Sequence, residues 1–372
     1  MYFFAVIFIV IIIVGVNIYA KGDPISRDKI SFKRTFDKEL CEPNEIFLLR
    51  TEINNMSSHP MGRIYVKHTL DEDFVLNNES RYKVITSKNN KQQIICRTHV
   101  RAKRTGVVET RLSIPRRGVF SVNKINIDCL DLLGFHTSYY EKEKTEKIIV
   151  APKRVSNKFM SKMIAQGYGD FNAKRGFIND ETTIRTYAEY TGHEPMRHIN
   201  WKKSAQSEDF IVKQFEPMGI HVTTIVFDIS GFINVKHDSM QGELLEYSIS
   251  MLREMFEYFE VKRIPYCLYT NARSSYIHEN VFRSTPSGKK TRRIMLSMLG
   301  ELSVDFNNKK YPLKSKELLD LSIKNSFRAP FAYVAPSDRS TITTTLKKAS
   351  KIKGVEIIEL YAKDYFKVEV KS

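Results

Sequence analysis

At 372 residues the chain exceeds the roughly 100–200 residues of a typical single domain, which points to two soluble domains plus any membrane element. Its net charge of +17 would suit an anionic partner, but the 59 lysines and arginines are spread among 42 acidic residues, which describes a solvated basic surface and argues against nucleic-acid binding. Four cysteines, Cys41, Cys96, Cys129 and Cys267, stand far apart with no Cys-x-x-Cys pair, which excludes a zinc knuckle or redox motif and leaves reduced structural thiols.

In chain order, residues 2–20 come first and are almost wholly apolar, with Asn17 the one strongly polar member. At ~1.5 Å per residue such a helix reaches ~28 Å, close to the hydrocarbon thickness of a bilayer. Segment 1–21 is therefore expected to be a transmembrane anchor. It is longer than the apolar core of a signal peptide, and no basic residue precedes it. Lys21, Arg27, Lys29, Lys33 and Arg34 follow it, so the positive-inside bias predicts a single-pass protein of the cell membrane with its soluble body in the cytoplasm.

From 30 to 152 the pattern is one of short alternating segments, at 46–53, 64–69, 82–86, 92–101, 110–114, 119–127 and 147–150, broken by turn residues such as Asn54-Asn55, His59-Pro60 and Arg117-Gly118. This spacing predicts an all-β sandwich domain. Residues 153–218 turn polar and glycine-bearing at first, and are read as a connector with one short helix at 156–165. Beyond 219 the signal changes. A continuous β-branched run at 222–227 precedes a stretch at 242–259 with Leu245, Ile249, Leu252, Met255, Phe256 and Phe259 at helical spacing. Strand at 264–269, helices at 289–302 and 315–325, strand at 331–334, helix at 341–351 and strand at 355–361 complete the alternation, which predicts a doubly wound α/β domain over 219–372. The chain is thus expected to be an α+β multidomain protein.

Asp228-Ile-Ser230-Gly-Phe232 falls at the carboxyl end of the first α/β strand, where open sheets place ligands. The stretch resembles the Asp-x-Ser-x-Ser of von Willebrand factor A-type domains, which implies a magnesium site, since a hard cation takes oxygen ligands. Phe232 stands at the second serine position and offers no oxygen, so Asp228 and Ser230 form a degenerate metal site whose groups are expected to bond loop amides instead. His193 and His198 are five apart with Pro195 between them, which breaks the i, i+4 geometry of a zinc protease helix. Neither a Gly-x-Ser-x-Gly elbow around Ser230 nor a phosphate-binding Gly-x-x-x-x-Gly-Lys loop is present, so no catalytic residue and no cofactor is expected. Lys289-Lys290-Thr-Arg292-Arg293 reads as a solvated helix start.

The stretch 185–216, with the lone Trp201, resembles the signature of the bacterial domain of unknown function 58 family, roughly Arg-x-Tyr, Gly-Asp, Arg-x-Ile-x-Trp, Ser-Ala. Tyr190, Gly192, Arg197, Asn200, Trp201, Ser204 and Ala205 match it, and Glu194, after His193, is the nearest stand-in for the usual aspartate. Arg116-Arg117-Gly118-Val119-Phe120, Asp131-Leu-Leu-Gly134-Phe135 and Ala151-Pro152 resemble that family's N-terminal half. Physically, Trp201 is expected to anchor this loop against the α/β domain, and Arg197 to pair with a carboxylate or cap a carbonyl. The resemblance implies a membrane-anchored protein with a β-rich part before a von Willebrand factor A-like domain, often accompanied by MoxR-type AAA+ ATPases. The expected function is that of a non-catalytic adaptor for such a protein partner, with a divalent-metal-dependent receptor or hydrolase at Asp228 and Ser230 as the alternative.

Overall fold

The computed structural model of the chain describes residues 2–21, 29–77, 82–87, 91–131, 137–155, 179–192, 194–207, 209–217, 222–230, 240–303, 314–325, 331–335, 344, 346, 347 and 357–369. They divide into two units, Met1–Lys153 with Leu296–Leu302, and Arg154–Met295 with Ser303–Ser372.

The first unit opens with helix α1 (Tyr2–Lys21) and continues through strands β1 (Ile30–Phe36), β2 (Leu40–Cys41), β3 (Phe47–Asn55), β4 (Met61–Asp71), β5 (Val75–Leu76), β6 (Tyr82–Ser87), β7 (Lys91–Val100), β8 (Arg104–Ser113), β9 (Gly118–Asp131) and β10 (Thr137–Val150). Side chains alternate across a strand, so β3 turns Phe47, Leu49, Thr51 and Ile53 inward while β4 does the same with Ile64, Val66, His68 and Leu70. Two sheets result, in the orders β1-β3-β8-β5 and β2-β10-β9-β4-β7-β6. They share one apolar core, to which β3 gives Phe47 and Leu49, β4 Ile64 and Val66, and β9 Ile125 and Ile127.

The β9–β10 ladder slips register between Glu143 and Glu146, and such a bulge leaves backbone groups without ladder partners. Arg34, from β1 of the other sheet, fills the gap. Its guanidinium donates to the carbonyls of Val122 (2.6 Å), Lys124 (2.7 Å) and Lys144 (2.8 Å). A second buried arginine, Arg117, donates to the carbonyls of Leu299 (3.0 Å) and Leu302 (2.6 Å), at the end of helix α4 (Lys289–Glu301). Those terminal carbonyls have no partner within their own helix. Gly300 in the same turn is required by space, because a Cβ there would lie 2.5 Å from Ile149 Cγ2 and 2.9 Å from the carbonyl oxygen of Val150.

In the second unit β11 (Asn179–Glu189) and β12 (Ile211–Pro217) form an antiparallel two-stranded ladder, joined by a segment that holds a 3₁₀ turn (Met196–His198) and a one-turn helix α2 (Trp201–Ser204). Then follow β13 (Thr223–Phe227), α3 (Met240–Lys262), β14 (Tyr266–Thr270), β15 (Val281–Ser284), α4, α5 (Ser315–Asn325), β16 (Phe331–Ala335), β17 (Ile357–Tyr361) and α6 (Ala362–Glu369). The five-stranded sheet runs β15-β14-β13-β16-β17, with β13 parallel to both neighbours and β15 antiparallel at the edge. All five residues of β13 and of β14 are buried, as strands covered on both faces require. Helix α3 buries Leu245, Ile249, Leu252, Met255, Phe256 and Phe259, and Phe256 stacks on Tyr266 at 4.6 Å between ring centroids.

Three expectations are corrected here. Among the described residues no helix is long and apolar enough to cross a membrane, so the transmembrane anchor over 1–21, and the single-pass membrane location built on it, do not stand. The class is also different, because strand outweighs helix among the described residues, 46% against 29%. An α+β protein with a von Willebrand factor A-like, doubly wound second half overstated the helix: the supposed connector contributes β11 and β12, and the sheet after 219 is mixed because β15 returns antiparallel to β14. The helix expected at 156–165 lies outside the described residues.

Candidate functional site

Strand β13 sits mid-sheet, with β14 on one side and β16 on the other, the position at whose carboxyl end open sheets place ligands. Asp228 is the first residue past β13, and its amide still donates to Val334 O (3.1 Å). Its side chain, 3% exposed, points into a closed set of donors. Oδ1 accepts from the amide (3.0 Å) and hydroxyl (2.7 Å) of Ser230 and from Asn271 Nδ2 (2.9 Å), and Oδ2 accepts from the Tyr333 hydroxyl (3.0 Å). Ser315, which opens α5, contributes a further side-chain hydrogen bond. Asn271 holds the other side: its Oδ1 accepts from the Ile229 amide (2.8 Å) and its Nδ2 reaches Ser230 Oγ (2.8 Å).

Burial pushes the Asp228 carboxyl up, but the bonds from Ser315, Ser230 and Asn271 outweigh it and hold the acid below its ordinary value. The carboxylate is ionised and already occupied. A magnesium ion needs about six oxygen ligands in near-octahedral array; among the described residues this end of the sheet presents one carboxylate, Asp228, engaged by protein donors, with the Asn271 amide NH₂ beside it. Among the described residues no three His, Cys, Asp or Glu side chains are grouped to hold a metal, and Phe232 lies outside the described residues. Sequence reasoning found Asp228 and Ser230 but missed Asn271, Tyr333 and Ser315. Asn271 directly follows β14, a position that could have marked it; Tyr333, inside an apolar run, gave no signal.

The residues of the 185–216 stretch form the tip of the β11–β12 ladder. The ladder is extended by Tyr190 N to Phe210 O (2.7 Å), Asn200 N to Ile211 O (2.8 Å) and an Ile199–Val212 bridge. Gly192 has φ +87 with open space around its missing Cβ, so the left-handed backbone, not crowding, is what asks for glycine. Glu194 closes the turn, its carboxylate accepting from the Thr191 amide (3.1 Å) and hydroxyl (2.9 Å). Asn200 caps α2 through Oδ1 and Lys203 N (3.3 Å). Ser204 ties both ends together, donating to Asn200 O (3.0 Å) and accepting from Ile211 N (2.8 Å).

Arg197 Nε donates to His198 Nε2 (3.3 Å); His193 lies outside the described residues. Trp201 does not anchor the loop in a core. It stands 58% exposed, edge-on to Phe210 at 6.0 Å, while Tyr190 meets the same ring at 6.4 Å. Lys203 Nζ sits 3.5 Å over the Tyr187 ring, a cation–π contact. The basic run at 289–293 is engaged locally, Thr291 Oγ1 donating to Glu260 (2.9 Å) and Arg292 to Glu257 (3.2 Å).

No family model matches the chain, and no curated protein matches it. Among solved structures it is similar to CaCohA2 of Clostridium acetobutylicum at 15% identity, covering 32% of this chain and 90% of that one with a TM-score of 0.24. The seventh ScaB type I cohesin of Pseudobacteroides cellulosolvens matches at 14% identity, covering 34% and 96% with a TM-score of 0.24. The major pilin SpaD of Corynebacterium diphtheriae matches at 8% identity, covering 35% and 39% with a TM-score of 0.26. At these scores the likeness decides neither fold nor function.

Proposed function

We propose that the chain is a non-catalytic adaptor that acts by docking a protein partner, and that its resemblance to the domain of unknown function 58 family makes a MoxR-type AAA+ ATPase the partner to seek. The observation that carries this reading is the closed crevice at Asp228. At the place where a sheet of this topology would hold a ligand, five donors from the protein itself occupy the one carboxylate. Recognition then falls to surfaces, and the β11–β12 tip is hydrogen-bonded through Glu194, Asn200 and Ser204 and bears exposed aromatic rings.

Two measurements test the reading. A tagged full-length chain purified gently from its native cells is expected to bring an AAA+ ATPase with it; repeated recovery of the chain alone counts against the partner. Calorimetric titration with magnesium or manganese is expected to give neither binding heat nor a shift in melting temperature. Saturable binding that disappears in Asp228→Ala would overturn the non-catalytic reading in favour of a metal-dependent receptor or hydrolase.

A further inference from the structure

Within the β11–β12 tip three large apolar side chains face solvent, Met196 (66%), Trp201 (58%) and Phe210 (55%). The segment between Met196 and Ser207 carries Arg197, Lys202 and Lys203 and no carboxylate, with Glu194 before it, tied to Thr191, and Glu208 and Asp209 after it. All three cations are exposed. The backbone beneath them is fixed by the Asn200 cap, the double bond of Ser204 and the ladder contacts of Tyr190 and Asn200. A pre-ordered surface of this kind loses little conformational entropy on binding, and tryptophan and arginine are among the residues enriched where binding energy concentrates.

From this we infer that the tip is the docking surface for an acidic, amphipathic segment of the partner, whose apolar side chains cover Trp201, Phe210 and Met196 while its carboxylates meet Arg197, Lys202 and Lys203. Charge decides among occupants. A second copy of this chain brings +17 of like charge, and long-range repulsion opposes that encounter. An anionic bilayer would have to accept the exposed Asp209 beside Phe210, a like-charge contact that costs binding at the head groups. A protein segment can steer its own acids clear of Asp209. The inference rests on the adaptor reading and adds the surface and the chemistry of what it takes.

Trp201 is the sole tryptophan and so reports its own burial. The full chain is titrated with a dye-labelled helical peptide of glutamate and leucine, and with two controls in which lysine replaces glutamate or serine replaces leucine. Tryptophan emission and peptide anisotropy are read together. The glutamate–leucine peptide is expected to bind and shift emission to the blue, the controls to bind about tenfold more weakly or not at all, and affinity to fall with added salt. Lys202→Glu with Lys203→Glu, both on exposed positions, should weaken binding about tenfold with only the small drop in melting temperature due to the lost Lys203–Tyr187 contact; Trp201→Ala should weaken it likewise by anisotropy.

Absence of binding by the glutamate–leucine peptide overturns the inference. So does equal binding of the lysine peptide, binding indifferent to these substitutions, or tighter binding of anionic phosphatidylglycerol vesicles through the same residues. An ATPase that still co-purifies with Lys202→Glu and Lys203→Glu at undiminished yield would leave the adaptor standing and remove the surface. Peptide binding that holds while no ATPase co-purifies would keep the surface and remove that partner.

Discussion

His68 shows how one side chain sets a pH response. Its ring is fully buried, neither nitrogen has a hydrogen-bond partner among the described residues, and burial, helped by the nearby Arg34 charge, pushes its pKa down to about 3. The folded chain therefore refuses a proton that an unfolded histidine takes up near pH 6.5. Stability from this group is full above pH 6.5 and declines as pH falls towards 3, by up to about 1.4 kcal/mol per pH unit. His68→Leu keeps the volume and removes the titration, so denaturant midpoints measured from pH 7 to 4 should flatten in that variant. Asp228 acts with the same sign at lower pH: its lowered pKa gives stability that is present above about pH 4, the unfolded carboxyl's range, and is lost below it. Asp228→Asn gives up charge-assisted bonds and should cost about 1–3 kcal/mol at neutral pH by urea unfolding. Cys41, Cys96, Cys129 and Cys267 are all buried, and burial raises each thiol, Cys96 to about 11 and Cys41 and Cys129 to about 12. A thiol reagent should leave all four untouched in the native chain and titrate all four in denaturant.

At the scale of elements, the strands that the sequence announced are those with one wet face. The period-two alternation of β3 and β4 was legible because each inward residue faces the shared core and each outward one faces solvent. β15 was not. It has four residues, Val281–Ser284, with no clear alternation, and it returns antiparallel to β14 after a turn in which Glu279 and Asn280 take positive φ. β11 and β12 escaped notice for another reason: they pair chiefly with each other, so no deep core imposes an apolar pattern on them. Strand β10, which β2 covers only at Ile149 and Val150, carries Glu141, Lys142, Glu143, Lys144, Glu146 and Lys147 along the rest of that side, the kind of charged, bulged run that resists strand addition. Docking by β-augmentation is thereby disfavoured on that edge. Gly300 offers the sharpest test of packing at this scale. Gly300→Ala places a methyl against Ile149 and the Val150 carbonyl and should destabilise by about 1–3 kcal/mol despite alanine's better helix propensity, a loss readable as a lowered urea midpoint.

For the molecule as a whole, two cores in two units predict two unfolding steps. Calorimetry should show His68→Leu moving one transition and Asp228→Asn the other, since each side chain belongs to a different unit. Composition and alternation made the β-rich first half readable, and the apolar run of β13 made the placement of Asp228 at a strand end readable. What no sequence pattern could supply was closure: Asn271 and Tyr333 are 43 and 105 positions from Asp228, and only folding brings them to it. The Arg117 contacts have a consequence for synthesis. Residues 1–153 leave the ribosome before two acceptors of Arg117, the carbonyls of Leu299 and Leu302, which lie 182 and 185 positions further on, have been made. Until that late turn arrives, Arg117 lacks these two bonds, and the first half of the polypeptide waits on the second to complete them. A fragment ended at 153 would keep its strands and lose its plug.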